Sequence, residues 1–273
     1  MTPCVSNRAS TAQGFCEVIN LGVDVGSLAT KVLILNESKI LSRFQEPTGD
    51  DVREAVSRAI SESLAKAGLS RNRLERIIST GVGRNHVSDA SKSEAEGRCS
   101  VAGVRHLFPS VRGLLDVGAE SSRALKFDNS GRVVGFASND KCASGTGIFL
   151  DTMSKLLQIR PDDLEALQKA EQKVNITSTC VVFAESEVVS LIHKGVNRFD
   201  LWMAINSSVA SKAYALVGKL RLDGEVAIIG GVAKNQVFIH CLRDLLGERV
   251  LVPESPEFVN ALGAAIIGRE SAK

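Results

Sequence analysis

The chain has few aromatic residues and almost no net charge. Phe, Trp and Tyr make up 4% of its 273 residues, with one Trp and one Tyr. Single-stranded nucleic acids bind proteins through stacked aromatic side chains and basic grooves, yet Lys and Arg outnumber Asp and Glu by only 33 to 31. We therefore expect no nucleic-acid partner and no membrane surface held by basic charge.

Long apolar segments are also missing. No run approaches the roughly 18 residues that a membrane-spanning helix needs, and the longest are short strand-like runs such as 226–232. Residues 1–17 contain no apolar core of a secretory signal. We expect a flexible N-terminal tail at 1–17 and a cytoplasmic protein.

Cysteines are too sparse for a disulfide scaffold, and no Cys-x-x-Cys pair occurs. The six are Cys4, Cys16, Cys99, Cys142, Cys180 and Cys241. In a reducing compartment, a cysteine with a special role is more often a metal ligand than half of a disulfide.

The sequence contains neither a Gly-x-x-x-x-Gly-Lys-Ser/Thr loop nor a Gly-x-Gly-x-x-Gly turn after a strand. P-loop and Rossmann nucleotide sites are therefore poor explanations of this chain. What it has instead is an internal repeat. Residues 21–35 and 113–127 each read as strand, turn and strand, with Asp near the end of the first strand and Gly two residues later. Such repetition predicts two related halves that face each other.

Strands alternate with helices along the chain, which indicates an α/β fold. Apolar spacing and turn residues predict strands at 74–80, 132–137 and 225–229, and helices at 52–68, 147–157, 181–194, 200–220 and 260–268. We expect a first domain at 18–110, joined by the C-terminal helix at 260–273, and a second domain at 111–259.

Glycine allows a backbone to approach phosphate closely, and the two repeated turns each contain one. A single Asp-x-Gly turn is most often only a tight turn. Repetition, together with the glycine pair at 230–231, favours a clamp for polyphosphate, with Asp24 and Asp116 holding Mg²⁺ through waters. The predicted nucleotide contacts are Gly26, Ser27, Thr30, Lys31, Gly118, Ala119, Gly230, Gly231, Lys234 and Asn235.

These features resemble the acetate kinase, sugar kinase, Hsp70 and actin superfamily. The resemblance implies duplicated actin-like (ribonuclease H-like) domains with ATP or ADP in an interdomain cleft.

Cys142 and Cys180 each stand just before a predicted helix. The positive end of a helix dipole stabilises thiolate, the form that binds iron. An iron–sulfur cube usually takes four ligands, so two cysteines per chain would complete one only across a symmetric dimer. A buried, unreactive cysteine is the alternative interpretation for either residue taken singly.

Three motifs, at 139–147, 179–187 and 230–235, are similar to those of the activator ATPases of 2-hydroxyacyl-CoA dehydratases, a family that includes the ATPase subunits of benzoyl-CoA reductase. The resemblance implies a homodimer in which Cys142 and Cys180 of both copies bind one [4Fe–4S] cluster. It also implies a CoA-thioester dehydratase or reductase as partner, with a ferredoxin or flavodoxin as electron donor.

The second turn departs from that family, which usually has Asp-Ile-Gly-Gly-Gln-Asp-Ser-Lys. This chain has Asp-Val-Gly-Ala-Glu-Ser-Ser-Arg at 116–123. Ala119 restricts the turn relative to Gly. Glu120 brings a carboxylate toward the γ-phosphate, where it acts as a base toward water or repels phosphate. The predicted catalytic residues are Asp24, Asp116 and Glu120.

The resemblance predicts an ATPase in which closure of the two halves rotates the helices after the two cysteines and drives electron transfer. Two other functions remain open from the sequence. One is a small-molecule kinase of the same fold without a cluster, and the other is a non-catalytic, actin-like nucleotide sensor.

Overall fold

Two five-stranded sheets with the same strand order form the frame of the molecule. A computed structural model describes residues 18–139, 146–176 and 181–270, so the tail expected at 1–17 lies outside the described residues. The first sheet contains β1 (Ile19–Val25), β2 (Ala29–Asn36), β3 (Lys39–Pro47), β4 (Leu74–Thr80) and β5 (Lys92–Ser93). The second contains β6 (Gly113–Val117), β7 (Ser122–Phe127), β8 (Val133–Asn139), β9 (Val226–Ile229) and β10 (Val250–Leu251).

The sheets run in the orders β3-β2-β1-β4-β5 and β8-β7-β6-β9-β10. In each, the first three strands form an antiparallel meander, and the last two lie parallel to the first strand or to each other. This shared topology confirms the duplication that the repeated strand–turn–strand pattern predicts, and it confirms the α/β class.

Eight helices among the described residues cover the sheets. They are α1 (Val52–Ala67), α2 (Glu96–Leu107), α3 (Gly147–Leu157), α4 (Glu165–Lys169), α5 (Val181–His193), α6 (Arg198–Lys219), α7 (Gln236–Leu246) and α8 (Val259–Glu270). None of the described helices is both long and apolar enough to cross a membrane.

Local signals set the helix ends. The Asp51 carboxylate accepts a hydrogen bond from the Glu54 amide at 2.9 Å, and Gly68 ends α1 with φ +65°, a conformation that glycine adopts without strain. Helix α6 begins two residues before the predicted position, because the Asn197 side chain accepts a hydrogen bond from the Phe199 amide.

Sequence pattern alone does not predict β3, α2 or the shortest elements. Strand β3 is an edge strand with several exposed polar positions, so its apolar alternation is weak. Strands β5 and β10 have two residues each, too few to give a periodic signal.

The core has layers on both sides of each sheet. Helix α1 packs on one face of the first sheet, and α8 covers the other. Helices α3, α6 and α7 cover one face of the second sheet, while α2 lies on the opposite face. Helices α2 and α8 also pack against each other, so this helix pair joins the two sheets.

Backbone contacts between α2 and α8 require glycine. A Cβ at Gly263 would overlap the carbonyl oxygen of Cys99, and one at Gly103 would overlap that of Val259. Helix α8 lies equally close to β1, where a Cβ at Gly22 would overlap the Ala261 carbonyl. Because backbone atoms cannot move aside as a flexible side chain does, these glycines fix how closely the layers approach.

We expect Gly263→Ala to destabilise the fold by about 1–3 kcal/mol through overpacking. Gly218→Ala in α6 is the matched control, since no atom lies within 4 Å of its added Cβ, and Ala is favoured over Gly in helices by about 0.5–1 kcal/mol. Chemical denaturation of both variants measures the difference. Equal stabilities for the two variants would contradict the close packing.

Candidate functional site

A cavity of about 600 Å³ lies where the two halves face each other. Its wall is formed by the turn after β1, the turn after β6, the start of α3 and the loop after β9. The repeated units of the sequence therefore meet at one place. All the predicted nucleotide contacts except Thr30 line this cavity.

Hydrogen bonds within the protein fix the turn after β1, called here the first turn (residues 24–29). The Gly26 amide donates to the Ala29 carbonyl at 3.1 Å, and the Thr48 hydroxyl donates to the Gly26 carbonyl at 2.8 Å. The hydroxyls of Thr30 and Thr48 lie 3.0 Å apart. Thr30 is fully buried, so the structure places it as a support of the turn and not on the cavity wall, where Ser27 lies.

The second turn has the same closure. The Gly118 amide donates to the Ser121 carbonyl at 2.9 Å, as Gly26 does to Ala29. Helix α3 supports it from behind, because the amides of Gly147 and Ile148 donate to the carbonyls of Gly118 and Ala119, each at 2.9 Å. The N-terminal end of α3 is thus hydrogen-bonded directly to the second turn (residues 116–121).

Each turn follows a buried aspartate that faces a basic residue on the next strand. Asp24 pairs in register with Lys31 across β1 and β2, and Asp116 pairs with Arg123 across β6 and β7. The nitrogen–oxygen distances are 3.6 Å from Lys31 to Asp24 and 3.5 Å from Arg123 to Asp116. The two halves therefore present the same carboxylate–cation pair to one cavity.

Burial raises the pKa of Asp116 to about 6. The hydrogen bond from Asn260 and the charge of Lys31 act in the opposite direction, while the negative charge of Asp24 raises this pKa further. The two aspartates are thus close enough to influence each other. A divalent cation would favour the ionised form of both, and carboxylate oxygens with retained waters are the ligands that Mg²⁺ takes.

The glycine loop after β9 packs against the second aspartate. Gly230 has φ +90°, and a Cβ there would lie 2.6 Å from Asp116 Oδ1. Gly231 has no atom within 4 Å of such a Cβ, so any side chain at this position would project into open space beside the cavity. Gly230 is therefore required by its packing and its positive φ, whereas Gly231 suits a loop along which a ligand lies close to the backbone.

The first half contains a counterpart of this loop that the sequence analysis does not identify. Gly81 follows β4 as Gly230 follows β9, has φ +91°, and would place a Cβ 2.7 Å from Asp24 Oδ1. The signal in the sequence is the glycine directly after each parallel strand. The repeat therefore extends beyond the strand–turn–strand units.

Two predicted contacts at the loop after β9 have partners within the protein. Lys234, at the exposed rim, forms an ion pair with Glu257 at 3.2 Å. The Asn235 oxygen accepts from the amides of Val237 and Phe238, and its nitrogen donates to Asn206 at 2.8 Å. Asn235 lines the cavity, but its side chain caps α7 and so positions the loop.

Glu120 stands at the tip of the second turn, at the position that Leu28 occupies in the first, and both line the cavity. Acidic residues outnumber basic ones on the wall. Among the described residues of the wall, seven carry carboxylates and three carry positive charge: Asp24, Glu96, Asp116, Glu120, Asp151, Asp162 and Glu257 against Lys31, Arg123 and Lys234. A polyphosphate would be repelled unless divalent cations entered with it.

Cys142 and Cys180, the predicted cluster ligands, lie outside the described residues, as do Cys4 and Cys16. Helix α5 begins directly after Cys180, and α3 begins five residues after Cys142. Within 18–139, 146–176 and 181–270, no group of three or more His, Cys, Asp or Glu side chains is arranged to hold a metal ion.

The two described cysteines are buried. Burial raises the pKa of Cys99 to about 12 and that of Cys241 to about 11. Thiolate is the form that binds metals, so burial disfavours metal binding by these two thiols, and both pack in the hydrophobic core.

The chain matches a known protein family over most of its length. Residues 21–268 match the model of the BadF/BadG/BcrA/BcrD ATPase family. The activator of lactoyl-CoA dehydratase from Anaerotignum propionicum is 35% identical over 254 residues, which cover 93% of this chain and 98% of the relative.

Two solved structures share the fold. Component A of (R)-2-hydroxyglutaryl-CoA dehydratase from Acidaminococcus fermentans has a TM-score of 0.89 at 35% identity, covering 94% of this chain and all of that chain. The activator of 2-hydroxyisocaproyl-CoA dehydratase from Clostridium difficile, solved with bound ADPNP, has a TM-score of 0.87 at 34% identity, covering 93% and 97%. These similarities confirm the predicted family resemblance and fold class.

We expect Asp116→Asn to stabilise the protein more at pH 7.5 than at pH 4.5. Because burial raises the carboxyl pKa above its unfolded value, the favourable protonated state is lost as pH rises through about 6. The gain of the variant over the wild type should therefore grow with pH, by about 2 kcal/mol between these two pH values. Urea denaturation in EDTA, with the exposed Asp223→Asn as control, measures it. A gain that does not change with pH would contradict this prediction.

Proposed function

The chain belongs to the BadF/BadG/BcrA/BcrD ATPase family, and from that membership we propose that it is an ATP-dependent activator of a 2-hydroxyacyl-CoA dehydratase or of a benzoyl-CoA-reductase-type enzyme. In this function, ATP hydrolysis drives a low-potential electron into the partner. The observation that carries the proposal is the pair of equivalent turns, each with a buried carboxylate, on the wall of one cavity.

In the proposed nucleotide complex, the turns at 24–29 and 116–121 bind the phosphates through their backbones and the Ser27 hydroxyl. The loop at 230–235 binds the adenosine side, with Lys234 at the rim. Three observations support this arrangement: the identical closure of the turns, the open space beside Gly231 and the bound ADPNP of the relative from Clostridium difficile. Thr30 and Asn235 act from behind, as supports of the loops.

Asp24 and Asp116 would hold Mg²⁺ through waters. The excess of seven carboxylates over three cations among the wall residues that the structure describes supports binding of ATP as its metal complex. Lys31 and Arg123 balance the two aspartates at distances of 3.6 and 3.5 Å. These cations would turn toward the phosphates when Mg²⁺ takes over the charge of the carboxylates.

The contacts of helix α3 support a mechanical coupling between the nucleotide site and Cys142. Because its first two amides are bonded to Gly118 and Ala119, a displacement of the second turn moves the start of α3, which begins five residues after Cys142. We propose that closure of the domains, 18–110 with 260–273 against 111–259, produces this displacement when ATP binds.

Cys142 and Cys180 would hold a [4Fe–4S] cluster jointly with the same pair of a second copy, one cluster per homodimer. Such a cluster supplies one-electron transfer when bound, and its potential depends on hydrogen bonding and exposure. The high pKa values of Cys99 and Cys241 support this choice of ligands. A ferredoxin or flavodoxin would be the donor.

We expect anaerobically purified protein to contain roughly four irons per dimer, and the Cys142→Ala/Cys180→Ala double variant to contain almost none. Iron analysis with EPR of the reduced protein measures this. Cys241→Ala is the matched control, because this buried cysteine should leave the iron content unchanged. Full loading of the double variant would remove the cluster assignment.

We propose Glu120 as the base toward the attacking water. Glu120→Ala should then lower kcat for ATP hydrolysis by about 100-fold or more, with little change in the Kd for ADP. Steady-state kinetics and calorimetry separate the two effects. An unchanged kcat with tighter ADP binding would instead show that the carboxylate only repels phosphate.

A further inference from the structure

The side-chain amide of Asn260 connects Asp116, just before the second turn, to helices α2 and α8. Asn260 is the second residue of α8, and its Nδ2 donates to Asp116 Oδ2 at 3.3 Å. Its Oδ1 lies 2.8 Å from the Ser100 hydroxyl of α2, which also lies 2.9 Å from the Glu96 carbonyl. The contact from Asn260 to Asp116 spans 144 positions of the sequence.

A second link runs beside it. Arg123 forms an ion pair with Glu96, the first residue of α2, and its other terminal nitrogen lies 3.5 Å from Asp116 Oδ2. The first turns of α2 and α8 are thus both tied to one oxygen of one carboxylate. The rest of α8 contributes mainly small or apolar side chains to the core, namely Val259, Ala261, Leu262, Gly263, Ala264, Ala265, Ile266, Ile267 and Gly268.

We infer that Asn260 is a positioning residue of the nucleotide site, which fixes the orientation of Asp116 and connects it to α8. The inference rests on Mg²⁺–nucleotide binding in this cavity. A buried carboxylate with Oδ2 held by Asn260 and Arg123 presents its other oxygen in one orientation, and such preorganisation lowers the cost of ordering the site. Since α8 packs on the first sheet, the same contact links the second turn to the first half.

The test compares two substitutions of similar shape. Asn260→Leu removes the donor, and Asn260→Asp replaces it with a negative acceptor that faces Asp116 Oδ2. We expect Asn260→Leu to lower kcat about tenfold and Asn260→Asp to lower it further, with the KM for ATP changed less than about threefold.

A second readout does not depend on turnover. We expect half-maximal ADP binding by Asn260→Leu to need about tenfold more Mg²⁺ than binding by the wild type, with equal ADP affinity at saturating Mg²⁺, as measured by calorimetry. Ser100→Ala, a milder change on the far side of the amide, should shift the Mg²⁺ requirement in the same direction and provides the test if Asn260→Leu does not fold. In the Asn260→Leu background it should add nothing, since Ser100 acts through Asn260.

Variants that only lower the melting temperature, with the wild-type Mg²⁺ requirement, would overturn the inference. Failure of the proposed function looks different: the wild type would then bind Mg²⁺–ADP without hydrolysing ATP or supporting a dehydratase. In that outcome the Mg²⁺ titrations of the variants still decide the role of Asn260.

Discussion

A buried carboxylate is costly unless nearby positive charge or hydrogen bonds compensate it, and this molecule buries two of them beside one cavity. Asp24 and Asp116 are 5% and 3% exposed. Each lies within 3.6 Å of a cation on the neighbouring strand, and burial raises the pKa of Asp116 to about 6. A divalent cation bound together with a polyphosphate would stabilise this site, because its charge offsets the cost of burying two carboxylates.

Duplication is what brings the two carboxylates together. Each half places its aspartate near the end of the first strand, closes the next turn with the same amide-to-carbonyl hydrogen bond, and packs a glycine with positive φ against the aspartate. Between the halves, α2 and α8 approach until their backbones touch at Gly103 and Gly263. The same two helices begin at the cavity, where Glu96 of α2 and Asn260 of α8 lie on the wall. The helices that connect the halves therefore also contribute residues beside the buried aspartates.

Local sequence patterns predict much of this fold and less of the site. The repeated strands and the bounds of α3 follow from apolar periodicity, and the end of α1 follows from the glycine cap at Gly68; both signals are local in the sequence. The contact between Asn260 and Asp116 spans 144 positions and leaves no local pattern. Side-chain direction is equally hard to predict. The position of Thr30 in the sequence does not show that its hydroxyl faces Thr48 and not the cavity.

The central claim is that both turns belong to one nucleotide site. Hydrogen–deuterium exchange of the anaerobic protein, with and without Mg²⁺ and a non-hydrolysable ATP analogue, tests it directly. We expect the amides of 24–29 and 116–121 to become protected together over the same range of nucleotide concentration. Protection confined to one turn, with the other unchanged at saturation, would contradict it.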